Sequence, residues 1–112
     1  MAEPTLTNVF GAGATQDATT LTILKADLPG LTASASNPAE ALLTGILKRA
    51  AVALTDANRD LNIDQSVFVD LSQTPSFTTR VNGSTTETYI RNTIAVELDK
   101  AYGTVEIDPD DY

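Results

Sequence analysis

Residues 37–61, NPAEALLTGILKRAAVALTDANRDL, carry local signals that all agree on a helix. Asn37 can cap its start, and Pro38 suits the first helical position, where a missing N–H costs nothing. Glu40, three residues after the cap, can reach back to the cap amide and complements the helix dipole. Leu42, Leu43, Ile46, Leu47, Ala50, Ala53, Leu54 and Ala57 recur at three- and four-residue spacings. They make one apolar stripe, with Thr44, Lys48, Thr55 and Arg59 largely on the opposite side. The pattern predicts a single amphipathic helix of about six turns. A stripe that broad needs a cover, and the chain that follows supplies strands.

Residues 63–71, IDQSVFVDL, set Val67, Val69 and Leu71 against Ser66, Phe68 and Asp70, a period of two that reads as a strand with one apolar face. Pro75 ends it. Residues 77–81 form the next strand, Asn82-Gly83 offers a two-residue hairpin turn, and residues 84–100 return with a long alternation. That turn would pair Val81 with Ser84, Thr79 with Thr86 and Phe77 with Thr88, leaving Arg80 and Glu87 diagonal to each other. The resulting ribbon is threonine-rich near its tip and apolar only from Ile90 onward, so its tip is expected to project from the body. Upstream, residues 20–25 read as a short strand. Pro29-Gly30 marks a turn, with Leu28 and Leu31 as small plugs beside it. Residues 104–107 can add a short edge strand before an acidic, proline-stopped end.

The fold expected is α+β: one long amphipathic helix packed on a small antiparallel β-sheet or sandwich. An extended N-terminal arm (1–19) precedes the α+β domain (20–107), and an acidic tail (108–112) follows it. The arm, MAEPTLTNVFGAGATQDAT, is small and polar around a few apolar residues and cannot order itself alone. Leu6, Val9 and Phe10 are its candidate anchors on a neighbouring subunit. On that expectation, deleting residues 1–15 would abolish partner binding and leave the fold intact. Phe77, Arg80 and Tyr89 on the ribbon are the other candidate contact residues.

Reaction chemistry finds little footing. Histidine, cysteine and tryptophan are absent. That removes Ser-His-Asp and Cys-His arrangements and zinc sites built on Cys and His. Gly11-Ala12-Gly13 lacks the third glycine and the lysine of a phosphate loop. The expectation is no enzyme, no cofactor and no metal. Residues 56–64 place oxygen-bearing side chains at alternate positions like a calcium loop. Leu61 stands where the sharp turn needs glycine, and Val67 where the bidentate glutamate belongs, so helix termination is the simpler reading. A net charge of −8 with only seven scattered Lys and Arg argues against nucleic-acid binding. Nothing approaches the ~18 apolar residues of a membrane span, and the start lacks a signal peptide's basic and apolar regions. Synthesis in the cytoplasm is expected.

The run VFGAGATQDATTLTILKADLPGLT (9–32), then NPAEALLTGILKRA and NIDQSVFVDL, resembles a group of short proteins from cyanobacteria and their phages. Those pair a similar FGxxATQ opening with an AE-LL helix and a DQS strand. No activity is attached to the group, so the resemblance transfers no functional residue. What it implies is a phage context. Size, acidity, the lack of cysteine and the β-rich body are similar in general terms to capsid cement (decoration) proteins, often trimers. The expected partner is then the major capsid protein or another virion protein, with homotrimeric assembly and a virion location. The alternatives are a head–tail connector or tail-completion protein, and a small monomeric binding module or regulator.

Overall fold

A computed structural model describes residues 3–112. The fold is α+β with small antiparallel sheets. In chain order the elements are helix α1 (Leu6–Phe10), the two-residue strands β1 (Thr15–Gln16) and β2 (Leu21–Thr22), and helices α2 (Ala39–Ala53) and α3 (Asp56–Leu61). Strands β3 (Val67–Asp70), β4 (Ser76–Asn82), β5 (Thr85–Arg91) and β6 (Ala95–Leu98) follow. A 3-10 turn at Lys25–Asp27 precedes α2, and another at Pro109–Asp111 closes the chain.

The long helix anticipated at 37–61 is two helices. Thr55 leaves helical geometry at φ −93° and ψ 158°, and its hydroxyl accepts the Asn58 N–H, which makes it the N-cap of α3. The break has a structural use. The Leu54 carbonyl, with no helical partner, accepts the Val69 N–H at 3.0 Å and ties the helices to β3. At the other end, Pro38 holds the cap position of α2. Asn37 organises the preceding loop instead, accepting from Ser34 N–H and donating to the Thr32 carbonyl.

The N-terminal segment differs from the extended arm expected of it. Thr5 and Asn8 form a reciprocal capping box that starts α1, and α1 packs on α2. Arg49 of α2 donates to the Thr7 and Asn8 carbonyls at 3.4 and 3.2 Å, meeting the negative end of this short helix. The Gly13 N–H then donates to Asp27 Oδ2 at 2.9 Å. A tight β1–β2 hairpin follows, its turn held by Asp17 Oδ1 accepting from the Thr19 and Thr20 N–H groups.

Strands β3 and β6 pair in one sheet, β4 and β5 in another. The registers show that they are the base and the tip of one long ribbon. Asp70 lies opposite Ala95 and Ser76 opposite Arg91. Residues 71–75 interrupt one side and 92–94 the other, a difference of two that keeps the alternation in phase. By sequence count Phe77, Val81 and Ile90 share the alternation of Val67, Val69, Val96 and Leu98, although the two strand pairs are separate sheets. Only at the base does that phase include a buried residue, Val69.

The core is small. Ala14, Leu28, Ala50 and Val69 are the buried apolar side chains among the described residues, and no large side chain is completely enclosed. Leu28, sent inward by the turn before Pro29-Gly30, meets α2 at Gly45. A Cβ added there would sit 3.1 Å from the Leu28 Cβ, so the absent side chain lets the plug approach the helix. Leu28→Ala is expected to cost about 2–4 kcal/mol and Thr55→Ala about 1 kcal/mol, both read from urea unfolding. A Leu28 variant as stable as the parent would contradict this account of the core.

Candidate interaction surface

The tip of the ribbon stands nearly free. Beyond pairing with each other, β4 and β5 make only glancing contact with other elements. Its register differs by two residues from the one anticipated. Asn82 pairs with Thr85, Val81 with Thr86, Thr79 with Thr88 and Phe77 with Ile90, so the loop is Gly83-Ser84 rather than Asn82-Gly83. Gly83 takes φ +65° and Ser84 does not have a positive φ, the backbone signature of a type II′ turn. The shift sets Phe77 against Ile90 and Arg80 directly across from Glu87. Both pairings suit a strand pair better than the anticipated ones.

The two faces of the tip are chemically distinct. On the polar face the Arg80 guanidinium lies 5.0 Å from the Tyr89 ring centroid, and the Tyr89 hydroxyl donates to Glu87 at 3.1 Å. Arg80 and Glu87 form no ion pair despite facing each other; the arginine stacks instead. Arg91 reaches only the Thr78 hydroxyl, at 3.4 Å. The opposite face carries Phe77, Val81 and Ile90, which are 77, 73 and 64% exposed. Of the contact residues anticipated on the ribbon, Arg80 and Tyr89 are thus brought together, and Phe77 lies on the other side.

Leu6, Val9 and Phe10 sit differently. All three belong to α1 and are half-buried, because the helix that carries them is docked on α2. Removing residues 1–15 would strip a face of α2, so such a truncation reports on folding as well as on binding.

Two clusters hold the base of the ribbon. Arg59 reaches from α3 to Glu97 at 2.9 Å, Asp56 at 2.7 Å and Asp99 at 3.5 Å, with its guanidinium 5.0 Å from the Phe68 ring centroid. The hydrogen bonds it donates to Glu97 and then to Asp56 raise its already high pKa. Where β3 ends, Asp70 accepts from the Ser72 hydroxyl and N–H and from the Gln73 amide. These donors, the Ser72 hydroxyl foremost, hold its carboxyl below the usual aspartate range. A carboxyl depressed in the folded state stabilises the fold above the ordinary aspartate pKa, and that contribution fades as pH falls through the depressed value.

The oxygen-rich run 56–64 does not converge. Asp56 faces Arg59, the Asn58 amide donates to Gln65, and Asn62 Oδ1 accepts the Asp64 N–H. Among the described residues, no group of three or more acidic side chains is placed to hold a metal ion. An open groove of about 460 Å³ lies between α1, α2 and α3, walled by Pro4, Val52, Ala57 and Leu61. The unpartnered Arg49 Nε and Asn58 Oδ1 lie beside it, but both are shut off from its space. No helix among the described residues is long and apolar enough to cross a membrane.

No protein-family model, curated protein or solved structure matches the chain.

What distinguishes the molecule is how much of it lies open. A compact protein of this mass exposes roughly 5,900 Å², whereas this chain exposes 8216 Å². Its radius of gyration is 16.9 Å, against about 13 Å for a compact chain of this length. Phe77→Ser should leave the unfolding free energy of the isolated chain within about 0.5 kcal/mol, because that side chain contributes little burial. The same substitution should reduce adsorption to apolar surfaces. A marked loss of monomer stability would show that the tip is already covered.

Proposed function

We propose that this chain is a non-enzymatic structural protein of a phage virion, acting as a capsid cement (decoration) protein that stabilises the shell through contacts between subunits. The observation that carries the reading is the open surface. The excess over a compact monomer, roughly 2,300 Å² by the size scaling, is of the magnitude that obligate assemblies bury. A protein built this way completes its core by associating. The resemblance to short cyanobacterial and cyanophage proteins supplies the context, and the lack of His and Cys leaves the ordinary catalytic arrangements without their residues.

In this reading the major capsid protein, or another shell protein, meets the apolar face of the ribbon. Each of Phe77, Val81 and Ile90 contributes about 1.5–3 kcal/mol when fully covered, before ordering costs. Repetition over a lattice multiplies a modest single contact by avidity. Arg80, stacked on Tyr89, gives the opposite face a rigid polar surface toward neighbouring copies. A homotrimer at threefold joints of the shell fits this role.

Quantitative mass spectrometry of purified particles tests the proposal. Copy numbers on the scale of the shell lattice, lost with Phe77→Ser, are expected. A single ring of copies at the head–tail joint would move the role to a connector or tail-completion protein. Absence from particles would overturn a virion role and leave a free binding module.

A further inference from the structure

Resting on that reading of an assembling protein, we propose that residues 104–107 of one copy add as a third strand to the free edge of β5 in a second copy.

Thr104, Val105, Glu106 and Ile107 alternate polar and apolar and favour extended structure. Sequence alone predicts a strand here, yet the structure leaves the segment irregular. None of its backbone N–H groups has a partner among the described residues. Val105 is 98% exposed and Ile107 69%, both on one phase of the alternation. The segment has the sequence of a strand and no sheet to join, in a molecule whose ribbon is a sheet with open edges.

Reach excludes the chain's own β5 as the acceptor. β6 ends at Leu98, and the chain bends at Tyr102 and Gly103. Four residues beyond that bend span about 13 Å and come back only alongside β6. The nearest residue of β5, Arg91, lies seven positions before Leu98, about 23 Å along the ribbon. A second copy has no such limit.

The chemistry of the two faces selects the match. Placing Val105 and Ile107 beside Ile90 extends the apolar face that carries Phe77 and Val81. By the same alternation Glu106 then falls on the face of Arg91, which has no carboxylate within 4.0 Å among the described residues. Charge favours the same pairing. The tip carries Arg80 and Arg91 against Glu87 alone, one net positive charge on a chain of −8, whereas residues 104–112 hold four carboxylates and no cation.

Lys100 already holds the tail on one side. Lys100 Nζ donates to the Glu106 carbonyl at 2.5 Å and to Asp111 at 3.0 Å. In an extended strand successive carbonyls point to opposite edges. The isolated chain bends at Glu106; straightened with Lys100 kept on carbonyl 106, the segment would turn the N–H and C=O groups of Val105 and Ile107 toward β5. A lone two-stranded hairpin is marginal in water, and a third strand over an apolar face makes it self-sustaining. Each copy gives one strand and receives one, and the widened apolar face remains free for the shell.

Hydrogen exchange of the full chain, read by mass spectrometry across a concentration series, tests the inference. Peptides covering 104–107 and β5 should gain protection together as the protein associates, and lose it together on dilution. Val105→Pro removes an N–H that has no partner in the isolated chain, so its dilute melting curve should match the parent. Its association should weaken at least tenfold. Glu106→Lys should weaken association as well, and combining it with Arg91→Glu should restore it. If Val105→Pro associates like the parent and 104–107 stays unprotected, the strand addition is overturned while assembly stands. A parent that never associates, alone or on particles, overturns both.

Discussion

Shortage of burial governs this molecule. A 112-residue chain has enough apolar residues for one modest core, but here they are strung along a ribbon and a tail rather than gathered. Among the described residues, only Ala14, Leu28, Ala50 and Val69 are fully buried apolar side chains, and two of those are alanines. Folding must offset the conformational entropy of every ordered residue, mainly by removing apolar surface from solvent. Four small or medium side chains make a narrow margin. The rest of the architecture follows from concentrating that burial at one junction and exposing apolar surface elsewhere.

At the junction, each contact joins elements distant in sequence. Leu28 enters beside Gly45 and fastens the N-terminal hairpin region to α2. Arg49 fastens α1 to the same helix. The interruption at Thr55 frees the Leu54 carbonyl for β3, and Arg59 spans from α3 to Glu97 and Asp99 beside β6. Gln65, buried, adds the Thr55 and Val67 carbonyls to the same knot. Polar contacts thus take on much of the positional work that a larger apolar core does elsewhere. The ribbon is anchored firmly at its base, and its tip is left open.

Much of this was legible in the sequence, for reasons that differ by element. The helical stripe and the two-residue alternation of the ribbon are strong periodic signals, and Pro75 marked the interruption between β3 and β4. The spacing puts Thr55 on a polar helix face, although Thr-Asp-Ala-Asn is a serviceable N-cap sequence. An apolar stripe running through it concealed the cap. Helix α1 spans only five residues, too few to display a helical period, so the Thr5–Asn8 capping box was its one available signal. The hairpin register turned on a contest between two loops. Asn82-Gly83 is the more familiar dipeptide, but placing Gly83 first in the turn pairs Phe77 with Ile90 and brings Tyr89 under Arg80. Cross-strand packing outweighed local turn preference. Phe77, Arg80 and Tyr89 lie on the ribbon tip, where their alternation placed them, while the side chains of α1 lie against their own chain.

The proposed role requires the isolated chain, an incomplete fold, to associate and cover its open surface. Light scattering on a sizing column across a wide concentration series tests it most directly. The account predicts a mass that rises from 11.8 kDa to a defined multiple with concentration. A particle of 11.8 kDa at every concentration, unfolding cooperatively with the stability of an ordinary compact domain, would contradict it.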